Sequence, residues 1–481
     1  MKESKRSIYS KVTIGISFYP LLLSAQTERM NVLLIMADDL NLNIGAYGHY
    51  LVKTPNIDKL AREGMLFTNA YCQFPLSGPS RTSMLTGLYA EQSGMTRILD
   101  LVRDFVPNAV TLPQCFMNNG YTSARVGKIY HYNNPQGIGT SGHDDPSSWN
   151  QAINPSGIDR QEENKIHRLG PGNLGATLCW YTSEGGDEQH TDGIAASEAI
   201  KLLDEYAKNN TSFFLGIGFY KPHTPFVAPK KYFDLYPKDQ IKIPQVPVDY
   251  LKSLPIPAVA TLTKFPEQNN ISKENALNAL QGYYACISYL DYNVGRVLDA
   301  IEKNGLKEKT IIVFVSDNGF HMGEHAYYQK MTLFENAGQV PLIVSYPSQK
   351  TKGKKSNSIV ELIDIYPTLC DLAHITPPTY ISGKSFIPIL ENPKKETRKS
   401  ALFQLASGYS IRTKKMAYTK WKGNEDKLAE FYIKKSDPEE MQNLINDSHY
   451  TKQIKEMDKE LQLRVKQART KPECITVIPR K

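Results

Sequence analysis

A chain of 481 residues, 41% of them hydrophobic and 22% charged, is long enough to bury a large core and too apolar to stay disordered. Its formal charge of +8 comes without a Lys/Arg run interleaved with aromatics, which argues against a nucleic-acid-binding stripe. The six cysteines, Cys72, Cys115, Cys179, Cys286, Cys370 and Cys474, form no CxxC pair, so a structural zinc site is not expected and disulfide pairing stays open.

The chain opens on Lys2, Lys5, Arg6 and Lys11, followed by an apolar stretch from Val12 to Ala25. That is the pattern of a secretory signal, with cleavage after Ala25. The stretch is short for a bilayer span, an uncleaved anchor being the competing reading. Residues 1–25 carry four basic residues and one acidic one, so a mature chain would keep a charge of +5. The expectation is an exported protein, periplasmic or extracellular, with no stable membrane span.

Asn31 to Ala37 (NVLLIMA), Phe213 to Phe219 (FFLGIGF) and Thr310 to Ser316 (TIIVFVS) are short, uniformly apolar runs, the pattern of strands buried on both faces. Helical periodicity separates them at Asn56 to Glu63, Ala195 to Tyr206 and Tyr283 to Lys303. The alternation predicts an α/β fold, a large, mostly parallel sheet flanked by helices. Tyr132 to Asp192 is rich in Gly, Pro, Asn and Ser and reads as loop, as does the Pro-rich stretch 235–275. From about residue 395 the runs ALFQLA, GYSIRT, MAYTKW and EFYIKK precede a charged helix from Tyr450 to Ala468. These predict a main α/β unit over 26–394 and a C-terminal unit over 395–481 built from a small antiparallel sheet and a helix.

Two of the buried runs end in polar pairs, Asp38-Asp39 and Asp317-Asn318. In a parallel sheet, ligands bind at the carboxyl ends of the strands, so the two pairs are expected to meet there. They offer only hard oxygen ligands, a donor set for calcium or magnesium rather than zinc. The segment Ser77-Gly78-Pro79-Ser80-Arg81, continuing to Leu85-Thr86-Gly87, places a hydroxyl at the start of a helix, whose free N–H groups favour an anion, with Arg81 about one turn on.

Ser77 to Gly87 matches the type I sulfatase motif, Cys/Ser-x-Pro-Ser-Arg followed by Leu-Thr-Gly, and the chain resembles that family, within the alkaline-phosphatase-like fold. Gly127-Lys128-Ile129-Tyr130-His131, Lys221-Pro222-His223, Asp317-Asn318-Gly319, Gly323-Glu324-His325 and Lys330 match in the same order, and Ser436-Asp437-Pro438-Glu439 with Asn443-Leu444 resembles the family's C-terminal signature. The resemblance implies one calcium ion held by Asp38, Asp39, Ser77, Asp317 and Asn318. It also implies that Ser77 is oxidised to formylglycine by a maturing enzyme. A serine attacking sulfur would leave a sulfate ester with no easy exit, whereas a hydrated aldehyde has one hydroxyl to attack and a second to expel sulfate. Arg81, Lys128 and His131 are implied to hold the nucleophile and metal-side oxygens, with Lys128 and His131 sharing a face if that stretch is helical. His223 is implied as general acid and Lys330 as a sulfate-binding cation, with Ser80 supporting the helix start or the nucleophile. His325 is implied to touch substrate or to brace its turn.

Within the family, the strings Gly48 to Asp58, Val126 to His131, Lys221 to Phe226, Ser288 to Gly295 and Gly408 to Thr413 resemble the iduronate-2-sulfatase group most. That implies a sulfated glycosaminoglycan oligosaccharide or disaccharide as partner, with Lys221 meeting the uronate carboxylate. The alternatives are another sulfated sugar, a phosphomonoester or phosphonate hydrolase of the same superfold, and a catalytically silent glycan-binding protein.

Overall fold

In the computed structural model, which describes residues 29–269, 271–422 and 428–480, every residue of the first strand, Asn31–Asp38, is buried. The secretory pattern of residues 1–25 lies outside the described residues. Because side chains alternate across a strand, Leu33, Ile35 and Ala37 join one core and Val32, Leu34 and Met36 the other. The helices Thr191–Lys208 and Lys273–Lys303 cover the first face, and Ser77–Thr86, Leu112–Asn118 and Ile365–Leu372 cover the second. A run that is apolar at every position therefore needs helices on both sides, as its composition predicted.

In chain order the strands are β1 (Asn31–Asp38), β2 (Met65–Tyr71), β3 (Thr122–Gly127), β4 (Gln151–Ile153), β5 (His167–Arg168), β6 (Cys179–Ser183), β7 (Phe213–Pro222), β8 (Phe226–Pro229), β9 (Thr310–Ser316), β10 (Gln339–Ser345), β11 (Lys354–Glu361), β12 (Ala401–Leu405), β13 (Gly408–Arg412), β14 (Met416–Trp421) and β15 (Ala429–Ile433). The main sheet has the order β11-β2-β10-β9-β1-β7-β3-β4, and within it β10 alone runs antiparallel to its neighbours. β1 lies between β9 and β7, with Ala37 opposite Ser316 and Asp38 opposite Pro222. The ends of these three central strands thus deliver Asp38-Asp39, Asp317-Asn318 and His223 to one edge.

Two stretches carry more structure than their composition predicted. The segment 132–192 contributes β5 and β6, which join β8 in a second, three-stranded sheet. β5 has only two residues, both exposed, so no apolar alternation marks it. The long helix begins at Lys273, ten residues before the predicted start. Ser272 Oγ accepts the Asn275 N–H at 3.2 Å as its N-cap, and Ala276, Ala279 and Leu280 extend the buried face.

The C-terminal strands β12 to β15 form an antiparallel meander. The helix Thr451–Arg469 packs on it through Met457, Leu461 and Ala468. Buried Glu361, at the end of β11, binds this unit to the main sheet. Its carboxylate accepts from Leu402 N–H (2.7 Å), Arg464 Nη2 (2.8 Å) and the Tyr89 hydroxyl (2.6 Å), and it lies 3.1 Å from Arg398 Nη1. Among the described residues no helix is long and apolar enough to cross a membrane.

Removing one partner of a buried ion pair leaves an uncompensated charge, at a cost of about 3–5 kcal/mol. Glu361→Ala is therefore expected to lower unfolding stability by about that amount in urea denaturation; an unchanged midpoint would contradict the assigned role of Glu361.

Candidate active site

The site is built at the C-terminal edge of β1 and β9. Asp39 takes a left-handed conformation (φ +60°), a strain of about 1–3 kcal/mol for a residue with a side chain. Its N–H donates to Asp317 Oδ1 (3.1 Å), and Tyr283 OH donates to its carbonyl (2.8 Å). Asp38, Asp39 and Asp317 are buried, with one carboxylate oxygen of each within 4.8 Å of the others. Ser77 begins the helix Ser77–Thr86, is itself buried, and puts its hydroxyl 3.4 Å from Asp38 Oδ1. Ser80 Oγ donates to the Asp317 carbonyl, which pins the helix start to the end of β9.

Three buried cations answer the carboxylates. Arg81 donates through Nε to Asp317 Oδ2 (2.8 Å) and through Nη2 to Asp38 Oδ1 (3.0 Å), and so spans the two strand ends. Lys128 Nζ binds Asp38 Oδ2, and Lys330 Nζ reaches Asp39 Oδ2 at 2.7 Å. Lys128 gets there because β3 and β7 end in close contact. Gly127 has φ +71°, and a Cβ there would sit 2.3 Å from the Gly218 carbonyl. His223 Nε2 lies 3.5 Å from Asp39 Oδ2, and its Nδ1 faces Asn134 Nδ2 at 3.3 Å.

The charge states follow from burial and these neighbours. Burial opposes ionisation of Asp38, but Lys128, His223 and Arg81 hold it well below the usual carboxylate range. Burial pushes Asp39 and Asp317 up, and Lys330 and Arg81 respectively offset this only in part. Burial and the field of Lys330 bring His223 down to about 3, so its imidazole is neutral in the cleft as it stands. A bound anion beside it would act in the opposite direction. Burial, then Lys128, also hold His131 well below its ordinary value.

The donor set suits a hard cation. Three carboxylates converge, two of them pushed up by burial, and Asn318 Oδ1 is buried with no hydrogen-bond partner among the described residues. Asp38, Asp39, Asp317, the Asn318 amide oxygen and the Ser77 side chain are the groups that would hold it.

The structure bears on three of the sequence readings. Residues 128–131 form no helix, since the chain leaves β3 at Gly127 irregularly; His131 still lies close enough for Lys128 to depress it. Lys221 does not join the cluster: its buried ammonium donates to the Pro225 carbonyl (3.1 Å) and its N–H to Asp192 Oδ2 (2.9 Å). His325 is packed inside, its ring centroid 4.0 Å from that of Phe334 and its Nδ1 on Tyr250 OH, a bracing position rather than a substrate contact. Conversely, Tyr283, Asn134 and Ser316 position site residues and were not selected from the sequence. Ser316 Oγ accepts the Leu40 N–H and donates to the Asn318 carbonyl, both at 2.9 Å. Only its place at the end of an apolar run hinted at such a role.

Comparison with known proteins shows what this arrangement belongs to. Residues 30–375 match the sulfatase family model. The chain belongs to the sulfatase family. Residues 323–467 also match the model described as N-sulphoglucosamine sulphohydrolase, C-terminal. The chain is 32% identical to a sulfatase of Formosa agariphila (89% of this chain, 85% of that one) and 31% identical to human iduronate 2-sulfatase (88% and 92%). It is 28% identical to an N-acetylglucosamine-6-O-sulfatase of Bacteroides thetaiotaomicron (90% and 85%). Among solved structures, a 2-O glycosaminoglycan sulfatase superposes with a TM-score of 0.72 at 22% identity (94% and 95%). A phosphonate monoester hydrolase of Agrobacterium radiobacter superposes with a TM-score of 0.75 at 23% identity (91% and 96%). These two likenesses establish the fold, which is alkaline-phosphatase-like. The protein is thus a sulfuric ester hydrolase, of a family whose members in general carry formylglycine and calcium.

If the carboxylates hold calcium, adding the ion to chelator-treated protein raises its stability by about 2.7 kcal/mol at a hundredfold excess over Kd, read as an upward shift in Tm. Asp317→Asn and Asp39→Asn should abolish the shift. An equal shift in both variants would place the ion elsewhere.

Proposed function

We propose that this sulfatase removes the 2-O-sulfate from a uronic acid, iduronic or unsaturated, at the non-reducing end of heparin- or heparan-sulfate-type fragments. The likeness to iduronate 2-sulfatase along 88% of the chain carries the choice of ester. The chemistry rests on the site itself, where Ser77 opens a helix at the edge of a buried carboxylate and cation cluster. We further propose that Ser77 is matured to formylglycine by a dedicated enzyme, that the ion is calcium, and that the protein is exported.

When present, the formylglycine and the metal would supply the oxygen nucleophile and the Lewis-acid charge for the sulfuryl group. The chain's own residues do the rest. Arg81 bridges the two strand ends and favours the ionised forms of Asp38 and Asp317. Lys128 on Asp38 and Lys330 on Asp39 bring two ammonium groups to the cluster, where they can donate to nucleophile and sulfate oxygens. His223 can protonate the departing sugar oxygen through Nε2, with the Thr224 carbonyl against Nδ1 to accept its hydrogen and orient the ring. Three buried carboxylates against three buried cations leave the cluster near neutrality; a divalent ion makes it positive, the sign an anionic ester requires. Lys221, whose ammonium is on the Pro225 carbonyl, would have to turn to meet the uronate carboxylate.

A panel of defined disaccharides tests the ester position. Release of sulfate from the unsaturated 2-O-sulfated uronate is expected, and release only from the 6-O-sulfated isomer would overturn the assignment. Mass analysis of the Ser77 peptide from the same preparation should show a side chain lighter by two hydrogens, or its hydrate; full turnover with unmodified serine would refute maturation.

His223→Ala should lower turnover of the saccharide by roughly 10²–10⁴-fold, and that of an aryl sulfate with an acidic phenol much less, since that leaving group needs no proton. Equal losses on both would remove His223 as the acid.

A further inference from the structure

Away from the carboxylates, the segment 238–246, the start of the helix Lys273–Lys303 and the turn Gly323–Tyr328 enclose a cleft of about 760 Å³, within the range of small-ligand sites. None of the metal-site or catalytic residues lines it. Ile243, Val246, Ile271 and Leu277 give it apolar walls, and Lys238 and Lys273 stand exposed at its rim beside Asp239. The turn that closes it lies between Asn318 and Lys330, so one loop joins this cleft to the cluster.

Gln268 also lines the cleft. It is 1% exposed, yet neither its Nε2 nor its Oε1 has a hydrogen-bond partner among the described residues. A buried donor or acceptor left unmade costs about 1–3 kcal/mol, and such groups in native proteins call for a ligand, ion or water. A primary amide offers one donor face and one acceptor face side by side, which matches the hydroxyl or acylamino groups of a sugar. The 31-residue helix presents its N-terminus at the same place, Lys273 being its first residue, and this adds the positive end of its dipole.

We propose that this cleft is a second saccharide site, one that takes a sulfated or carboxylated sugar of the same glycan class as the substrate. The Gln268 amide, buried in the cleft wall, turns to pair with the sugar's polar edge, the apolar wall packs on its C–H face, and Lys238 and Lys273 meet its anion. The proposal rests on the reading of the substrate as a sulfated glycan, but not on which ester is cleaved.

The test uses the full chain carrying Ser77→Ala, so that nothing turns over, titrated with a heparin-derived tetrasaccharide. Amide hydrogen exchange in 238–246 and 271–277 should slow on binding. Gln268→Leu, and separately the surface double variant Lys238→Ala/Lys273→Ala, should lose that protection and weaken Kd about tenfold. With Ser77 restored, both variants should keep the parent's kcat/KM on a sulfated disaccharide. Exchange unaltered in these segments, or parental affinity in both variants, would overturn the proposal. Failure here leaves the ester assignment untouched, and a wrong ester assignment leaves this measurement intact.

Discussion

Arg81 is the contact on which the site depends. It is buried, and it bridges carboxylates that arrive on strands β1 and β9 from positions nearly three hundred residues apart. Bringing three carboxylates out of water would cost several kcal/mol for each ion were they not paired. Arg81, Lys128 and Lys330 supply those pairs, and each comes from a different segment. The fold's own stability is thereby tied to the correct assembly of its catalytic edge.

The remaining architecture serves to hold those segments in register. β1 is gripped by parallel partners on both sides, so the position of Asp38 is set by backbone hydrogen bonds rather than by a loop. The Ser77 helix is buried along its whole length, which fixes the direction of its N-terminus. Strain at Asp39 is sustained by its contacts with Asp317, Tyr283 and Lys330. At the far edge, Glu361 and its arginines fasten the C-terminal sheet to β11, and the Arg412 guanidinium joins Glu335 at 2.9 Å and Glu440 at 3.1 Å. The C-terminal strands therefore brace the wall formed by the 319–338 segment.

What could be read from the sequence was whatever is encoded locally. Apolar runs that stop at Asp38-Asp39 and Asp317-Asn318 declare both a buried strand and an acidic strand end, and Ser77-Gly78-Pro79-Ser80-Arg81 declares a helix start with a cation one turn on. Side-chain direction after a strand end is not local. Lys221 sits two residues from His223, yet its ammonium is captured by the Pro225 carbonyl while His223 turns to Asp39. Lys128 and His131 lie three apart without a helix to align them. Tyr283 and Asn134 act on partners 244 and 89 residues away, separations at which spacing carries no signal. β5 is too short and too exposed for periodicity to show it.

The central claim is that Asp38, Asp39, Asp317 and Asn318 enclose a single hard cation beside the residue made from Ser77. A crystal structure of the matured protein with calcium measures this directly. The account predicts one ion at about 2.3–2.6 Å from oxygens of all four residues, with the modified side chain in contact with it. An ion bound elsewhere, or these oxygens closed on Arg81, Lys128 and Lys330 alone at saturating calcium, would contradict it.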